Sequence, residues 1–174
     1  EDRENPVVVC PSNITANANA STCHANVNYT ATASDNCTLA SVSYSPASGS
    51  SFGIGTTTVN VVATDGSGNT AHCQFNVRVI DVTAPLAQCR NVTVNLNANG
   101  TASITAAQVD NGSSDACGIS SMSVSASAFN CANVGNNTVT LTVTDGAGNS
   151  STCSASVTVR DMIAPTAVCQ NVTV

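Results

Sequence analysis

The stretch Val59-Asn60-Val61-Val62-Ala63-Thr64-Asp65-Gly66-Ser67-Gly68-Asn69-Thr70-Ala71-His72-Cys73-Gln74-Phe75-Asn76-Val77-Arg78-Val79 decides the fold. Its first half is rich in β-branched residues, and from Phe75 to Val79 it alternates apolar and polar. Between them, Asp65-Gly66-Ser67-Gly68-Asn69 holds two glycines and an asparagine, residues that tolerate positive φ. Two strands joined by such a turn make a β-hairpin with one buried face. Eighty residues later Val139-Thr140-Leu141-Thr142-Val143 leads into Asp145-Gly146-Ala147-Gly148-Asn149, and Ala155-Ser156-Val157-Thr158-Val159 leads out.

Other anchors recur with the hairpin. Ala84-Pro85-Leu86-Ala87-Gln88-Cys89-Arg90-Asn91-Val92-Thr93-Val94 returns as Ala164-Pro165-Thr166-Ala167-Val168-Cys169-Gln170-Asn171-Val172-Thr173-Val174. Ser34-Asp35-Asn36-Cys37 returns as Ser114-Asp115-Ala116-Cys117. A fixed period is the mark of a repeat architecture. The expected organisation is a unit over 1–82, a second over 83–162, and the first strand of a third over 163–174, which points to a longer natural protein. Upstream strands are expected at Ile14 to Ala18, Ala25 to Tyr29 and Val42 to Ser45, with counterparts at Val92 to Leu96, Ala102 to Thr105 and Met122 to Ser125. About seven short strands per unit indicate tandem immunoglobulin-like β-sandwiches in an all-β chain. No segment shows helical periodicity.

Composition agrees. Of the 174 residues 42% are hydrophobic, so low charge does not mean disorder here. Only 3% are aromatic and there is no Trp, so each core must be thin. Four basic residues, all Arg, face ten acids, for a net charge of −6. That balance excludes a basic patch for nucleic acid and disfavours an anionic membrane surface. No apolar run approaches the roughly 18 residues of a membrane-spanning helix.

Nine cysteines in such a chain point to an oxidising, extracellular setting. Repeat alignment matches Cys10 with Cys89 and Cys73 with Cys153, which predicts the bridges Cys10–Cys73 and Cys89–Cys153, first strand to last. The remaining pairs are then Cys23–Cys37 and Cys117–Cys131. Loop closure values the long bridges at roughly 4 kcal/mol each and the short ones at about 3 kcal/mol. Cys169 is left over, with its mate expected beyond the sequence. A zinc site is disfavoured by the absence of a C-x-x-C pair and by only two His.

Cys10-Pro11-Ser12-Asn13-Ile14, Phe52-Gly53-Ile54-Gly55-Thr56-Thr57-Thr58-Val59, Ala63-Thr64-Asp65-Gly66-Ser67-Gly68-Asn69 and Cys73-Gln74-Phe75-Asn76-Val77 together resemble the hyalin repeat (HYR) domain. The second unit keeps Val134-Gly135, Thr144-Asp145-Gly146-Ala147-Gly148-Asn149 and Cys153 but lacks the Cys-Pro start. It is similar to the variant repeats of very large, SprB-like surface adhesins of gliding Bacteroidetes. The resemblance implies an extracellular β-sandwich serving in adhesion or as a spacer, with no catalytic site.

Asp65, Ser67 and His72 are the one grouping that invites a catalytic reading. No G-x-S-x-G elbow accompanies them, and Thr152 replaces His72 in the second repeat. The chain is therefore expected not to be an enzyme. Calcium is the candidate metal, since hard cations take oxygen ligands from carboxylates and carbonyls. The acids fall at repeated places: Asp81 and Asp161 at the unit junctions, Asp35 and Asp115 before a cysteine, and Asp110 close by. The competing explanation is that Asp and Asn cap their own turns; Asp65 and Asp145 belong to theirs. Expected partners are neighbouring repeats of the same chain, other copies in a fibre, or surface glycans reached through the Thr, Ser and Asn surface. The expected role is a structural and adhesive stalk at the cell surface. A filament subunit or a polysaccharide-binding accessory module is the alternative.

Overall fold

The hairpin quoted above is the centre of the first unit in the computed structural model, which describes residues 2–169. The chain divides after Thr83 into two units. The first contains β1 (Val7–Val9), β2 (Ile14–Asn17), β3 (His24–Asn26), β4 (Thr32–Ser34), β5 (Leu39–Ser45), β6 (Ser51–Gly53), β7 (Gly55–Asp65) and β8 (Thr70–Ile80). One layer is the four-stranded sheet β2-β8-β7-β5; the facing ladders are β1-β4 and β3-β6. β7 and β8 pair antiparallel from Gly55↔Val79 to Thr64↔Thr70. β2 instead runs parallel to β8, from Ile14↔Val77 to Asn17↔Ile80.

Alternation sets the buried face. Val59, Val61 and Ala63 of β7 are wholly buried, and Phe75, Val77 and Val79 of β8 lie beside them. Tyr29 fills the space between the layers, its ring edge-on to Phe75 at 5.0 Å and to Phe52 at 6.3 Å. Its hydroxyl donates to the Pro46 carbonyl at 2.7 Å and the Ala47 carbonyl at 3.0 Å, which satisfies its one polar atom. Burial, with the neighbouring Tyr44, pushes the Tyr29 hydroxyl above its usual pKa.

The second unit contains β9 (Val92–Asn95), β10 (Thr101–Ser103), α1 (Ala106–Val109), β11 (Ile119–Val124), β12 (Ala128–Asn130), β13 (Gly135–Asp145) and β14 (Ser150–Arg160). Its main sheet is β11-β13-β14-β9, with β9 parallel to β14, and β10 pairs with β12. Phe129 is its one buried aromatic among the described residues, so aliphatic side chains make its core: Leu96, Ile104, Val109, Val139, Leu141, Val143, Val157 and Val159.

One expectation needs correction. The strand expected at Ala102 to Thr105 stops at Ser103, and a single helical turn follows. Thr105 starts that turn, its N–H donating to Gln108 Oε1 at 2.8 Å, and Val109 is wholly buried at its end. One turn is too short to show a helical period. The strand expected within 163–174 has its counterpart in β9, Val92–Asn95, eighty residues earlier, and so falls outside the described residues.

Candidate functional site

Each unit has a hairpin pole, where β7 turns into β8 or β13 into β14. The Asp at that turn is buried, 2% exposed in both units. Asp65 Oδ1 accepts the backbone N–H groups of Ser67 and Asn69, both at 2.8 Å, and Oδ2 accepts Asn69 Nδ2 at 2.7 Å. Asp145 repeats the pattern with Ala147 at 2.9 Å, Asn149 N–H at 2.8 Å and Asn149 Nδ2 at 2.8 Å. Gly68 (φ 91°) and Gly148 (φ 93°) supply the left-handed residue that lets the chain wrap the carboxylate. Burial by itself raises these two pKa values, but donors from the Asn side chain and three backbone amides outweigh it and hold both carboxyls below their ordinary value.

In the first unit this pole gathers three acids. One carboxylate oxygen from each of Asp2, Asp35 and Asp65 lies within 4.8 Å of the others. Asp35 Oδ2 accepts the Cys37 N–H at 2.9 Å, while its Oδ1 is buried with no hydrogen-bond partner. The Asp2 carbonyl accepts Asn69 Nδ2 at 3.3 Å, tying the start of the chain to the turn. The Cys37 thiol lies against these acids, and Asp2 above all pushes its pKa up.

Of the acids singled out in the sequence, only Asp35 enters this cluster. Asp110 lies in its own turn, with Ser113 N–H at 3.0 Å and Gly112 N–H at 3.2 Å, and the Ser113 hydrogen bonds hold its pKa low. Asp115 Oδ1 accepts Cys117 N–H at 2.7 Å. Asp81 is buried and accepts Thr83 N–H at 3.0 Å; Asp161 is exposed and accepts Ile163 N–H at 3.0 Å. Asp2 and Asp65 were missed. Asp65 reads as turn chemistry alone, and Asp2 has no local pattern around it.

Asp65, Ser67 and His72 do not assemble a catalytic group. The Asp65 oxygens are taken up by the turn, and exposed His72 places Nε2 3.4 Å from Thr70 Oγ1. At the other pole of the first unit an open cleft of about 780 Å³ is lined by Asn17, Asn19, Thr22, His24, Asn26 and Ser51 among others.

The cysteines divide differently from the expected scheme. Cys10 joins Cys73 and Cys89 joins Cys153, each with Cα atoms 5.9 Å apart. Each bridge ties the segment ahead of the parallel strand to the last strand of the unit. Cys37 and Cys131 carry free, exposed thiols, so the pairs Cys23–Cys37 and Cys117–Cys131 are not formed. The reason is distance along the sandwich. Cys23 precedes His24, which pairs with Gly53 beside the start of β7, whereas Cys37 adjoins the end of β7, where Leu39 pairs with Asp65. β7 has 11 residues, so the two cysteines sit about 30 Å apart at the rise of a strand. A disulfide needs Cα atoms roughly 4.4–6.8 Å apart. The second unit repeats this: Ile119, two residues after Cys117, pairs with Asp145, whereas Cys131 follows β12 near the other end of β13.

Residues 1–79 match the family model of the HYR domain. The first unit is thus similar to the hyalin repeat. Over 179 aligned residues the chain is 35% identical to hyalin of Strongylocentrotus purpuratus; the match takes in 98% of this chain and 15% of hyalin. The chain thus spans a small fraction of that relative, and the aligned part includes the second unit. Among solved structures it is similar to a two-domain segment of human mucin-like protocadherin, at 11% identity and a TM-score of 0.47 over 89% of this chain and 98% of that one. It is also similar to a three-immunoglobulin segment of titin, at 8% identity and a TM-score of 0.48 over 89% and 65%. The first unit is an all-β, disulfide-stapled sandwich, by its own strand order and bridges.

Proposed function

We propose that the chain is an extracellular structural and adhesive segment, part of the stalk or fibre of a cell-surface adhesin built from hyalin-type repeats. One observation carries this reading. In both units a disulfide locks the first segment to the final strand, the paired cysteines standing 63 and 64 positions apart in sequence. Load entering at one end of a unit and leaving at the other reaches the covalent bridge before it can unzip the sheet. Repetition, the similarity to hyalin and a chain poor in charge support the same reading.

Single-molecule pulling of the chain tests it. Under oxidising conditions each unit releases only the residues outside its bridge. Reductant adds on the order of 200 Å of contour per unit, the extended length of the enclosed segment. Equal contour lengths with and without reductant contradict the reading.

Calcium at the hairpin pole of the first unit is a second reading, favoured by Asp35 Oδ1, a buried oxygen with no hydrogen-bond partner. Asp2, Asp35 and Asp65 offer an all-oxygen set of the kind that hard cations take. A bound cation would offset their mutual repulsion and stiffen the pole. The melting temperature is expected to rise in millimolar calcium, and Asp35→Asn to abolish the rise; an unchanged melting curve in the unsubstituted chain removes the reading.

A further inference from the structure

The two units differ in the ladder that their first segment makes. In the first unit β1 and β4 pair without a break, Val7↔Ser34, Val8↔Ala33 and Val9↔Thr32. In the second the matching pairing is reduced to two isolated bridges, Leu86↔Ser114 and Cys89↔Asp110. Between them the chain turns through Asn111-Gly112, one of two Asn-Gly pairs in the sequence. Both residues are exposed, and Gly112 is left-handed at φ 87°. The Asn111 N–H donates to the Gln88 carbonyl at 2.9 Å, which fixes the backbone and leaves the side chain in solvent.

An asparagine side chain is an electrophile, and the next backbone nitrogen is a nucleophile held beside it. Glycine after it puts no side chain in the way, and a Cβ on Gly112 would meet nothing within 4 Å. The obstacle is the proton on that nitrogen. Here it points at a carboxylate. The Gly112 N–H donates to Asp110 Oδ2 at 3.2 Å, within reach of proton transfer. The Ser113 hydrogen bonds hold the Asp110 carboxyl below its ordinary pKa, so it is ionised at neutral pH. Asn99-Gly100 is the contrast. The Gly100 N–H donates to the Asn97 carbonyl at 2.8 Å, and an amide carbonyl takes up no proton at neutral pH. Asn97 Oδ1 also accepts the Asn99 and Thr101 N–H groups at 2.9 and 3.1 Å, and a Cβ on Gly100 would fall 2.7 Å from Cys131 Sγ. That turn is tied and crowded where the other is open.

We propose that Asn111 is a self-modification site, at which the chain converts its own side-chain amide to an acid with Asp110 as the proton acceptor. The Gly112 nitrogen forms a bond to Asn111 Cγ, and the Cγ–Nδ2 bond breaks. The proton from Gly112 passes by way of Asp110 to the departing nitrogen, which leaves as ammonia. Water then opens the cyclic imide at one of its two carbonyls, giving aspartate or isoaspartate. Isoaspartate puts one more carbon into the main chain between the two bridges. Leu86↔Ser114 and Cys89↔Asp110 then fall out of step, while the Cys89–Cys153 disulfide keeps the segment attached. The first unit holds no Asn-Gly pair, so the change is confined to the second. The site and the adhesive role proposed above do not depend on each other.

Ageing the full chain at neutral pH tests it, with peptide mass spectrometry following each Asn-Gly pair as its amide becomes an acid. In the unsubstituted chain Asn111 is expected to convert about ten-fold faster than Asn99, with isoaspartate among its products. This comparison needs no variant, so it holds whatever a substitution does to folding. Asp110→Asn keeps an oxygen for the Gly112 N–H but removes the base, and Asn111 is expected to slow several-fold. Were Asp110 only a restraint on the turn, loosening it would speed the conversion instead. Equal rates at the two pairs, or faster conversion of Asn99, overturn the proposal. So does an Asn111 rate that is unchanged or raised in Asp110→Asn.

Discussion

Single side chains close this fold at repeated points. Asn13 Oδ1 accepts the Asn76 N–H and Asn91 Oδ1 accepts the Ser156 N–H, both at 2.8 Å, just ahead of the parallel ladders β2–β8 and β9–β14. Asn13→Ala and Asn91→Ala are each expected to cost about 1 kcal/mol, read by urea unfolding. Asn76→Ala keeps the backbone donor and is expected to cost less than Asn13→Ala. The turn carboxylate sets an acid limit. Asp145 is held below its ordinary pKa, so its stabilisation is complete above the unfolded value and is lost as pH falls through the folded one. Thermal melts of the chain are therefore expected to drop steeply below about pH 4. Asp145→Asn should be less stable at neutral pH and show a shallower acid slope. An unaltered slope contradicts this account of the turn.

At the scale of elements, the long hairpins were plain in the sequence, because valine alternation and the Asp-Gly-x-Gly-Asn turn are local signals. Burial follows the same residues, with Val139, Leu141 and Val143 on one face of β13. The parallel direction of β2 and β9 was not plain. Nothing in Ile14-Thr15-Ala16-Asn17 distinguishes a parallel from an antiparallel edge, since direction is set by the chain path after Cys10. The helical turn α1 was also hidden, as four residues carry no period. It makes up for missing aromatics: where the first unit sets Tyr29 edge-on to Phe75, the second buries Val109. Val109→Ala is expected to destabilise the second unit by about 2 kcal/mol, from two lost methyl groups and the cavity they leave. Tyr29→Phe removes the hydroxyl that donates to the Pro46 and Ala47 carbonyls, the latter keeping the Ser50 N–H, and should cost the first unit about 1–2 kcal/mol. Chemical denaturation followed by near-ultraviolet signal reads the tyrosine variant, and hydrogen exchange of β13 reads the valine variant.

For the whole molecule, the period of the sequence carried the division into two similar sandwiches and the pairing of the cysteines at matching positions. It misassigned the partners of Cys23 and Cys117, which are disulfide-bonded, and gave bridges to Cys37 and Cys131, which are free. Fourteen residues separate the members of each expected short pair in sequence, but the long central strands carry them to opposite poles. Sequence separation is a poor guide to distance in a sandwich whose strands run its full length. The acid cluster was legible only at Asp35, because Asp2 and Asp65 come from remote segments that the fold brings together.

The most direct test of the stapled-unit account is disulfide mapping by peptide mass spectrometry, after alkylation at acidic pH of monomeric protein purified without reductant. The account predicts linked peptides for Cys10–Cys73 and Cys89–Cys153, with Cys37 and Cys131 alkylated. Linked peptides for Cys23–Cys37 or Cys117–Cys131, or alkylated Cys10 and Cys73, would contradict it.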